Sequence, residues 1–395
     1  MADKDGNIIA KDYGIGIKPP AQHFHVKGHE NAGWGMKARL SQIFAADGRT
    51  IMLAFDHGYI MGSTAGLERL DLVIPPLMDH ADCLMATRGA LRTCIPADNR
   101  KAIALRCSAD SSVLKDDMSM GVIGTDIEEA LRMNASCMAV QCFIGSASEI
   151  ASLHNLSYYI NKGERYGIPV LGVVAVGKEM ERTTRYFALA TRLLAEQGAH
   201  IIKTYYCENF EQITAACPVP IVIAGGKKVP EPEALDMAYR AVNEGAAGVD
   251  MGRNVLQAEC PSAMLQAIRM VVHENVKPEA AYKAYQTLMK DVKQFMHVGV
   301  PTDKIMEGAV YAEAIKTYIV APETNEFNIE YLRFEKDTPL PKELQTMVHV
   351  AYKVDDLDEQ VKANTVVVEP WFADENTRLA FIMKDGILME LMEVK

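Results

Sequence analysis

A lysine inside an apolar segment has the clearest chemical potential in this sequence. Lys203 follows Ile201 and Ile202 in a run that the pattern predicts to be a buried strand. Burying an ammonium without a partner is costly, and desolvation favours the neutral amine. A neutral amine attacks a ketone to form an imine, so the run suggests a Schiff-base nucleophile. The alternatives are a lysine whose amine reaches solvent from a strand end, or one that is paired with a carboxylate.

A carboxylate and a histidine follow an earlier apolar run. The segment MLAFDHG places Asp56 and His57 where the first predicted strand ends. A carboxylate near an imine can move the protons of imine formation and carbon–carbon cleavage. Asp56 could instead cap a helix or form an ion pair in a loop. His57 is adjacent in sequence and therefore faces the other side of a strand. A structural hydrogen bond explains it as well as catalysis does.

Glycines and a basic residue follow two later runs. AGGKK contains Gly225 and Gly226, and MGRN contains Gly252 and Arg253. Glycine lets backbone N–H groups approach a phosphate, a helix N-terminus adds positive potential, and arginine adds a charged hydrogen bond. These segments predict a phosphate site, although Gly-Gly pairs also form ordinary turns.

Eight short apolar runs are positioned to hold these side chains. They are nearly continuous in hydrophobic residues, which is typical of strands buried on both faces of a parallel sheet, and amphipathic helical patterns lie between them. Eight such units predict a (β/α)₈ TIM barrel, in which chemistry lies at the C-terminal ends of the strands. A doubly wound open sheet fits less well because no G-x-G-x-x-G follows the first strand. The runs cover 51–58, 83–89, 101–108, 137–145, 169–177, 200–207, 220–226 and 248–254.

The pattern changes after the eighth unit to short, hairpin-like strands of a small α+β domain. HVGVPTDK (297–304) is echoed by HVAYKVDD (349–356), and FNIEYLRFE (327–335) by ILMELMEV (387–394), which indicates an internal duplication. The predicted organisation is an N-terminal extension over 1–45, a barrel over 46–275, a helical linker over 276–293 and a second domain over 294–395.

Composition narrows the class of protein. The net charge of -11 argues against nucleic acid or an anionic membrane as the main partner. The 8 cysteines lack C-x-x-C spacing, which is typical of small buried hydrophobes in a reducing compartment. The N-terminus has no apolar leader, and no uncharged stretch approaches a membrane-spanning length. We therefore expect a cytoplasmic protein.

Several motifs together resemble the DhnA-type class I aldolases over roughly residues 30–290. They are WGMKARLSQIF, MLAFDHGY, GLERLD, MATRGALR, VGKEM, RYFALATRLLAEQGAHIIKTYY, CPVPIVIAGGKK and GVDMGRN. The resemblance implies a barrel with Lys203 as the Schiff-base lysine of strand six and Asp56 as the aspartate of F-D-H-G. It also implies that the glycines and Arg253 form the phosphate loops. Sugar-bisphosphate members carry a tyrosine on strand five, whereas VLGVVAV (170–176) has none, which is compatible with a thiolase-type member.

The same resemblance implies a reaction. Lys203 would condense with a phosphorylated dicarbonyl, and coenzyme A would accept the acetyl group that is cleaved from it. Coenzyme A as co-substrate and a ring-shaped homo-oligomer follow only from the resemblance. One alternative is an ordinary aldolase acting on another phosphorylated ketose, with a structural C-terminal module. Another is a sugar-phosphate sensor on an aldolase scaffold, which Lys203 together with Asp56 disfavours.

The C-terminal part resembles the glyoxalase/vicinal-oxygen-chelate superfamily, in which two βαβββ modules each supply metal ligands. The resemblance implies one divalent metal held by His297 and Glu330 of the first module and by His349 and Glu390 of the second. Two imidazoles and two carboxylates suit zinc, nickel, manganese or iron. In the alternative, both glutamates face solvent on edge strands, both histidines are packing residues, and the module is a small non-catalytic cap used for assembly.

Overall fold

The computed structural model describes residues 24–62, 65–114, 121–175, 181–290 and 294–394. The chain divides into two compact units, residues 1–283 and 284–395. The finer boundaries predicted from the sequence stay predictions. Most of the predicted N-terminal extension, residues 1–23, and the VGKEM motif at 176–180 lie outside the described residues.

The first unit contains a closed parallel barrel, as the eight apolar runs predict. Each strand pairs with its neighbours in chain order, and the last strand pairs with the first to close the barrel. The strands are β1 Thr50–Ala54, β2 Cys83–Thr87, β3 Ala102–Arg106, β4 Cys137–Cys142, β5 Val170–Val174, β6 Ile201–Tyr205, β7 Ile221–Ala224 and β8 Gly248–Met251. A two-residue ladder, Ser108–Ala109 with Val122–Ile123, follows β3.

Alternate residues of the strands fill the barrel interior. Met52 of β1, Met85 of β2, Leu171 of β5 and Val222 of β7 belong to one buried cluster. The intervening residues pack outward against helices, so the strands are apolar on both faces, as parallel strands between two layers must be. The helix Trp34–Ile43 adds three buried side chains to the same cluster.

Helices alternate with the barrel strands. The helices of the first unit are Trp34–Ile43, Gly58–Met61, Leu70–Val73, Arg88–Cys94, Ile127–Arg132, Glu149–Tyr166, Thr184–Glu196, Phe210–Ala216, Glu231–Asn243, Arg253–Leu256 and Pro261–Glu274, with a 3₁₀ helix over Pro75–His80. The helix Pro278–Lys290 spans the boundary between the units. Across the described residues, no helix is long and apolar enough to cross a membrane.

The second unit is built on one eight-stranded sheet. The strands are β9 Gln294–Pro301, β10 Val310–Ala312, β11 Thr317–Val320, β12 Ile329–Phe334, β13 His349–Lys353, β14 Thr365–Phe372, β15 Thr377–Lys384 and β16 Ile387–Val394. Their order is β10-β11-β12-β9-β13-β16-β15-β14. In each half the first strand lies parallel to the last, and β9 and β13 join the halves in antiparallel fashion. The two halves thus repeat one topology, as the sequence echo predicts.

The halves differ in their connections. In the second half, the helix Leu357–Lys362 follows the first strand and its Leu357 packs in a buried cluster with Ile382 and Leu391. Residues 302–309 of the first half contain only turns. Lys342–Thr346 forms a short helix, and Pro322–Thr324 a 3₁₀ turn. The expectation of short strands is wrong for four of the eight strands, because β9, β14, β15 and β16 each have 8 residues.

A tight hairpin connects β15 and β16, in keeping with the hairpin-like strands predicted for this domain. Asp385 and Gly386 both have positive φ angles, of 53° and 81°. A two-residue turn of this kind matches the twist of the flanking strands, and glycine adopts the second position without steric cost.

Candidate active site in the barrel and a histidine–glutamate cluster in the second unit

Lys203 points into the barrel near the C-terminal ends of the strands. Its side chain has the same orientation as that of Ile201, a member of the interior cluster, and the residue is 9% exposed. Its Nζ lies 2.9 Å from Oδ2 of Asp250 on β8 and 3.4 Å from Sδ of Met85. The amine therefore has a carboxylate neighbour, which was one of the alternatives left open by the sequence.

Asp56 also lies in this mouth, and it is engaged in a buried ion pair. Its Oδ2 accepts hydrogen bonds from Nε of Arg106 at 2.7 Å and lies 2.6 Å from Nη2 of that arginine. Although burial opposes ionisation, the Arg106 guanidinium and the Lys203 ammonium hold the pKa of Asp56 below its usual value. Asp56 is thus held as an anion and is not a helix cap.

The pKa of Asp250 is shifted in the opposite direction from that of Asp56, although both are buried carboxylates. Asp250 is 1% exposed, and neither of its oxygens has an aligned hydrogen-bond donor among the described residues. Burial raises the pKa of Asp250, and the nearby Lys203 ammonium only partly opposes that rise. Asp250 and Arg106 were not singled out from the sequence.

His57 stands at the start of the short helix Gly58–Met61. Burial lowers the pKa of this imidazole, and the adjacent Asp56 carboxylate only partly opposes the effect. A Cβ on Gly252 would lie 3.3 Å from His57 Cε1 and would overlap the Ala54 carbonyl oxygen. Only glycine fits at position 252. Because it has no side chain, the loop after β8 can pack against the end of β1.

Asn254, which was not singled out from the sequence, connects the two glycine loops through hydrogen bonds. The buried Asn254 donates from Nδ2 to the Gly225 carbonyl at 2.7 Å, and its Oδ1 accepts from the Val229 N–H at 2.9 Å. Gly226 has a φ of 69°, which favours glycine. The predicted loops after β7 and β8 therefore form one continuous surface.

Basic groups lie beside these loops. Arg253 begins the four-residue helix Arg253–Leu256 and is half-buried. The exposed Arg182 stacks on the Tyr205 ring at 4.1 Å, and a Cβ on Gly226 would lie 4.0 Å from its Nη1. Lys228 is engaged elsewhere, because its Nζ lies 2.6 Å from Glu231 Oε1. The cations beside the Gly225–Gly226 turn suit an anionic ligand.

In the second unit, the four predicted metal-ligating residues meet on one face of the sheet. One potential ligand atom from each lies within 4.8 Å of the others, from His297, Glu330, His349 and Glu390. The strand register produces this arrangement: His297 and Glu390 each lie opposite Ala351, while His349 and Glu330 each lie opposite Gly299. Each half of the sheet contributes one imidazole and one carboxylate.

Glu390 bridges the two imidazoles. Its Oε2 lies 3.2 Å from His297 Nε2 and 3.1 Å from His349 Nε2, and Glu330 Oε2 lies 3.5 Å from His297 Nε2. Although burial opposes it, hydrogen bonding to Glu330 and Glu390 raises the pKa of His297 to about 10. The alternative in which both glutamates face solvent is wrong, because Glu390 is buried and Glu330 is only partly exposed.

The donor set fits a divalent ion. Imidazole nitrogens and carboxylate oxygens are ligands for zinc and for the neighbouring transition metals. Gly299 makes room for the site, because a Cβ at this position would overlap the His349 ring.

The barrel sequence is similar to that of known aldolases. A profile of the DeoC/LacD family aldolases matches residues 50–258. An uncharacterised aldolase of Pasteurella multocida is 52% identical over 289 residues, which are 72% of this chain and 99% of that protein. The 3-hydroxy-5-phosphonooxypentane-2,4-dione thiolase of Yersinia enterocolitica is 50% identical over 287 residues, 72% of this chain and 98% of that protein. The corresponding thiolase of Photorhabdus laumondii is 50% identical over 293 residues, 74% of this chain and 99% of that protein.

Solved structures share the barrel fold. A Schiff-base-forming fructose-1,6-bisphosphate aldolase superposes with a TM-score of 0.55 at 23% identity, covering 60% of this chain and 100% of that chain. A fructose-bisphosphate aldolase from Slackia heliotrinireducens superposes with a TM-score of 0.57 at 16% identity, covering 64% and 90% of the two chains. These likenesses show the fold. The profile match and the extent of the sequence identity show that the chain belongs to the DeoC/LacD family of aldolases.

Proposed function

We propose that the barrel is a thiolase that cleaves 3-hydroxy-5-phosphonooxypentane-2,4-dione with coenzyme A. The observation that carries the proposal is the buried Lys203 of β6 with two carboxylates in the same mouth, in a chain that is 50% identical over 72% of its length to a named thiolase of this substrate. Lys203 is the nucleophile, and the loops at Gly225–Gly226 and Gly252–Arg253 hold the phosphate.

The reaction balances with this set of groups. The Lys203 amine condenses with the carbonyl beside the phosphorylated carbon and releases water. The coenzyme A thiolate attacks the acetyl carbonyl, and the bond to the hydroxyl-bearing carbon breaks toward the iminium, which accepts the electron pair. That carbon is protonated, and water then releases dihydroxyacetone phosphate from Lys203. The second product is acetyl-coenzyme A.

Asp56 and Arg106 suit the cleavage step. A carboxylate that is held ionised can accept the thiol proton of coenzyme A and later return a proton to the enamine carbon. Arg106 Nη1 is buried without a partner among the described residues, so it is a donor for an oxyanion that develops on the attacked carbonyl. His57 completes the contact between β1 and the loop after β8.

The deciding experiment is a test of coenzyme A dependence. Purified protein with the phosphorylated dione should form acetyl-coenzyme A and dihydroxyacetone phosphate in equal amounts, and only when coenzyme A is present. Cleavage at the same rate without coenzyme A would instead identify an ordinary aldolase. We expect the enzyme to act in the cytoplasm as a ring-shaped homo-oligomer, which sedimentation analysis would test.

A second candidate function belongs to the histidine–glutamate cluster, and the convergence of its four ligand atoms favours it. We propose that these residues hold a divalent metal in a module related to the glyoxalase/vicinal-oxygen-chelate superfamily. A bound ion would polarise a carbonyl oxygen of a substrate. Glu390, which contacts both imidazoles, orients them, and the partly exposed Glu330 is placed to hold a proton. The corresponding activity is isomerisation of the hydroxy-dicarbonyl phosphate that supplies the barrel.

A further inference from the structure

Asp250 is a buried carboxylate that the reaction scheme above does not use. It lies on β8, and its Oδ2 is 2.9 Å from the Lys203 Nζ. This separation is within the range over which a positioned side chain transfers a proton. The Schiff-base lysine must lose a proton before it attacks, and the carbinolamine hydroxyl must gain one before it leaves as water, so the imine step needs a proton acceptor and donor at this distance.

Asp56, the other carboxylate of the mouth, is paired with Arg106. Both a 2.7 Å hydrogen bond and a 2.6 Å contact from the Arg106 guanidinium converge on its Oδ2. The Asp56 oxygen is thus directed at the guanidinium, which leaves Asp250 as the carboxylate that faces the Lys203 amine. Among the described residues, Asp250 forms no ion pair with arginine, and its Oδ2 faces the Lys203 Nζ at 2.9 Å.

The charges of the cluster also favour proton exchange between Lys203 and Asp250. Two ion pairs lie here, Asp56 with Arg106 and Asp250 with Lys203, and the net charge of each pair is zero. Moving a proton from the ammonium to Asp250 leaves this net charge unchanged, so no uncompensated charge is created in a desolvated site. Burial raises the pKa of Asp250, which brings its proton affinity closer to that of an amine.

We propose that Asp250 is the acid–base group of imine formation at Lys203, while Asp56 serves the later carbon–carbon cleavage. Asp250 takes a proton from the Lys203 ammonium, and the neutral amine attacks the ketone to give a carbinolamine. The protonated Asp250 then donates to the carbinolamine hydroxyl, which leaves as water. The net change is ketone plus ammonium to protonated imine plus water, with Asp250 regenerated as the carboxylate. This role rests on the proposed Schiff-base function of the barrel.

The test measures the imine step alone. Full-length protein is mixed with dihydroxyacetone phosphate, borohydride is added after increasing times, and the fraction carrying a reduced adduct on Lys203 is read from the protein mass. We expect Asp250→Asn to slow adduct formation by roughly 10²–10⁴. Asp56→Asn should slow it less than tenfold while still lowering turnover. Adduct formation at the wild-type rate in Asp250→Asn overturns the proposal.

Chemical rescue separates an acid–base role from a structural one. Asp250→Ala leaves space beside the Lys203 amine, and added formate should restore its adduct formation in a saturable manner. Asp250→Asn, in which the amide fills that space, should show no rescue. If either variant forms the adduct at the wild-type rate and formate has no effect on it, Asp250 has no acid–base role. Should neither variant fold, the unmodified protein is compared in H₂O and D₂O, and equal adduct rates overturn the proposal. A wild-type protein that forms no adduct refutes the Schiff-base function itself.

Discussion

Arg106 Nη2 lies 2.6 Å from Asp56 Oδ2, and both side chains are almost wholly buried at the mouth of the barrel. Removing one partner of such a pair leaves a buried charge, at a cost of about 3–5 kcal/mol. We expect Asp56→Asn to lower the stability of the barrel by an amount of this order and to lower kcat by roughly 10²–10⁴.

A double variant separates these two effects. Asp56→Asn combined with Arg106→Gln removes both charges, so stability should recover in part while turnover stays low. Denaturant unfolding and steady-state kinetics measure the two quantities. Recovery of turnover together with stability would assign Asp56 a structural role only.

Lys203 should carry the covalent adduct. Borohydride reduction in the presence of the phosphorylated dione is expected to add one substrate-derived mass to the chain, and peptide mapping should place it at Lys203. Lys203→Arg should abolish the adduct, because a guanidinium stays protonated and forms no imine. Lys101→Arg, at the opposite end of the strands, is the matched control and should keep it. An adduct that persists in Lys203→Arg, or maps to Lys227 or Lys178, contradicts the assignment.

Arg253 should recognise the phosphate. Arg253→Ala is expected to raise KM for a phosphorylated ketone by roughly tenfold to a hundredfold, since a hydrogen bond to a charged group contributes ~1.5–3 kcal/mol. A dephosphorylated analogue should be affected little. Arg240→Ala, on the surface of the helix Glu231–Asn243, provides the control for a lost positive charge. Equal losses for both compounds would place the phosphate elsewhere.

The histidine–glutamate cluster should bind metal in the full-length protein. After reconstitution with zinc, nickel, manganese or iron and removal of loose ions, elemental analysis is expected to find one ion per chain. The double variant Glu330→Gln, Glu390→Gln should lose it, and Gly299→Ala should weaken it because a Cβ there displaces the His349 ring. Glu369→Gln, on the exposed part of β14, should retain the ion. Unchanged metal content in the double variant would refute the site.

His273 should make barrel stability depend on pH. Its Nδ1 lies 2.8 Å from Asp47 Oδ2 and its Nε2 2.8 Å from Asp82 Oδ2, and these hydrogen bonds raise the pKa of His273 despite the opposing effect of burial. Its contribution is therefore present below the unfolded pKa of about 6.5 and is lost as pH rises through the folded value. His273→Gln should lower the melting temperature more at pH 6 than at pH 9. An equal loss at both values contradicts a charged His273.

The barrel could be predicted because its signal is local. Each strand is a continuous apolar run, and Lys203 and Asp56 stand out within such runs as charged residues. The same reasoning applied to IALRCS and GVDMG would have singled out Arg106 and Asp250. What no local pattern could show is that these two residues face Asp56 and Lys203, because that depends on how the strands pair around the closed barrel.

The second unit was harder to predict in detail. The repeated histidines and glutamates led to four residues that the structure brings together, and strand pairing explains why they converge. Contacts between strands distant in the chain determine the lengths of β14 and β15 and the lack of a helix over 302–309. The weak alternation of polar and apolar residues in this part of the sequence does not specify such contacts. The role of Asn254 was missed because a single asparagine after MGR has no distinctive spacing.

The hydrogen bonds between β1 and β8 close the barrel, and they join parts of the chain that are almost 200 residues apart, as in the pair Thr50 and Gly248. Asp56 follows one side of this seam and Asp250 lies on the other. Closing so long a loop has an entropic cost, so we expect these hydrogen bonds to form late in folding. A nascent or partly folded chain would therefore contain Lys203 without its carboxylate neighbour, and recovery of imine chemistry during refolding would report the moment at which the ring of strands is complete.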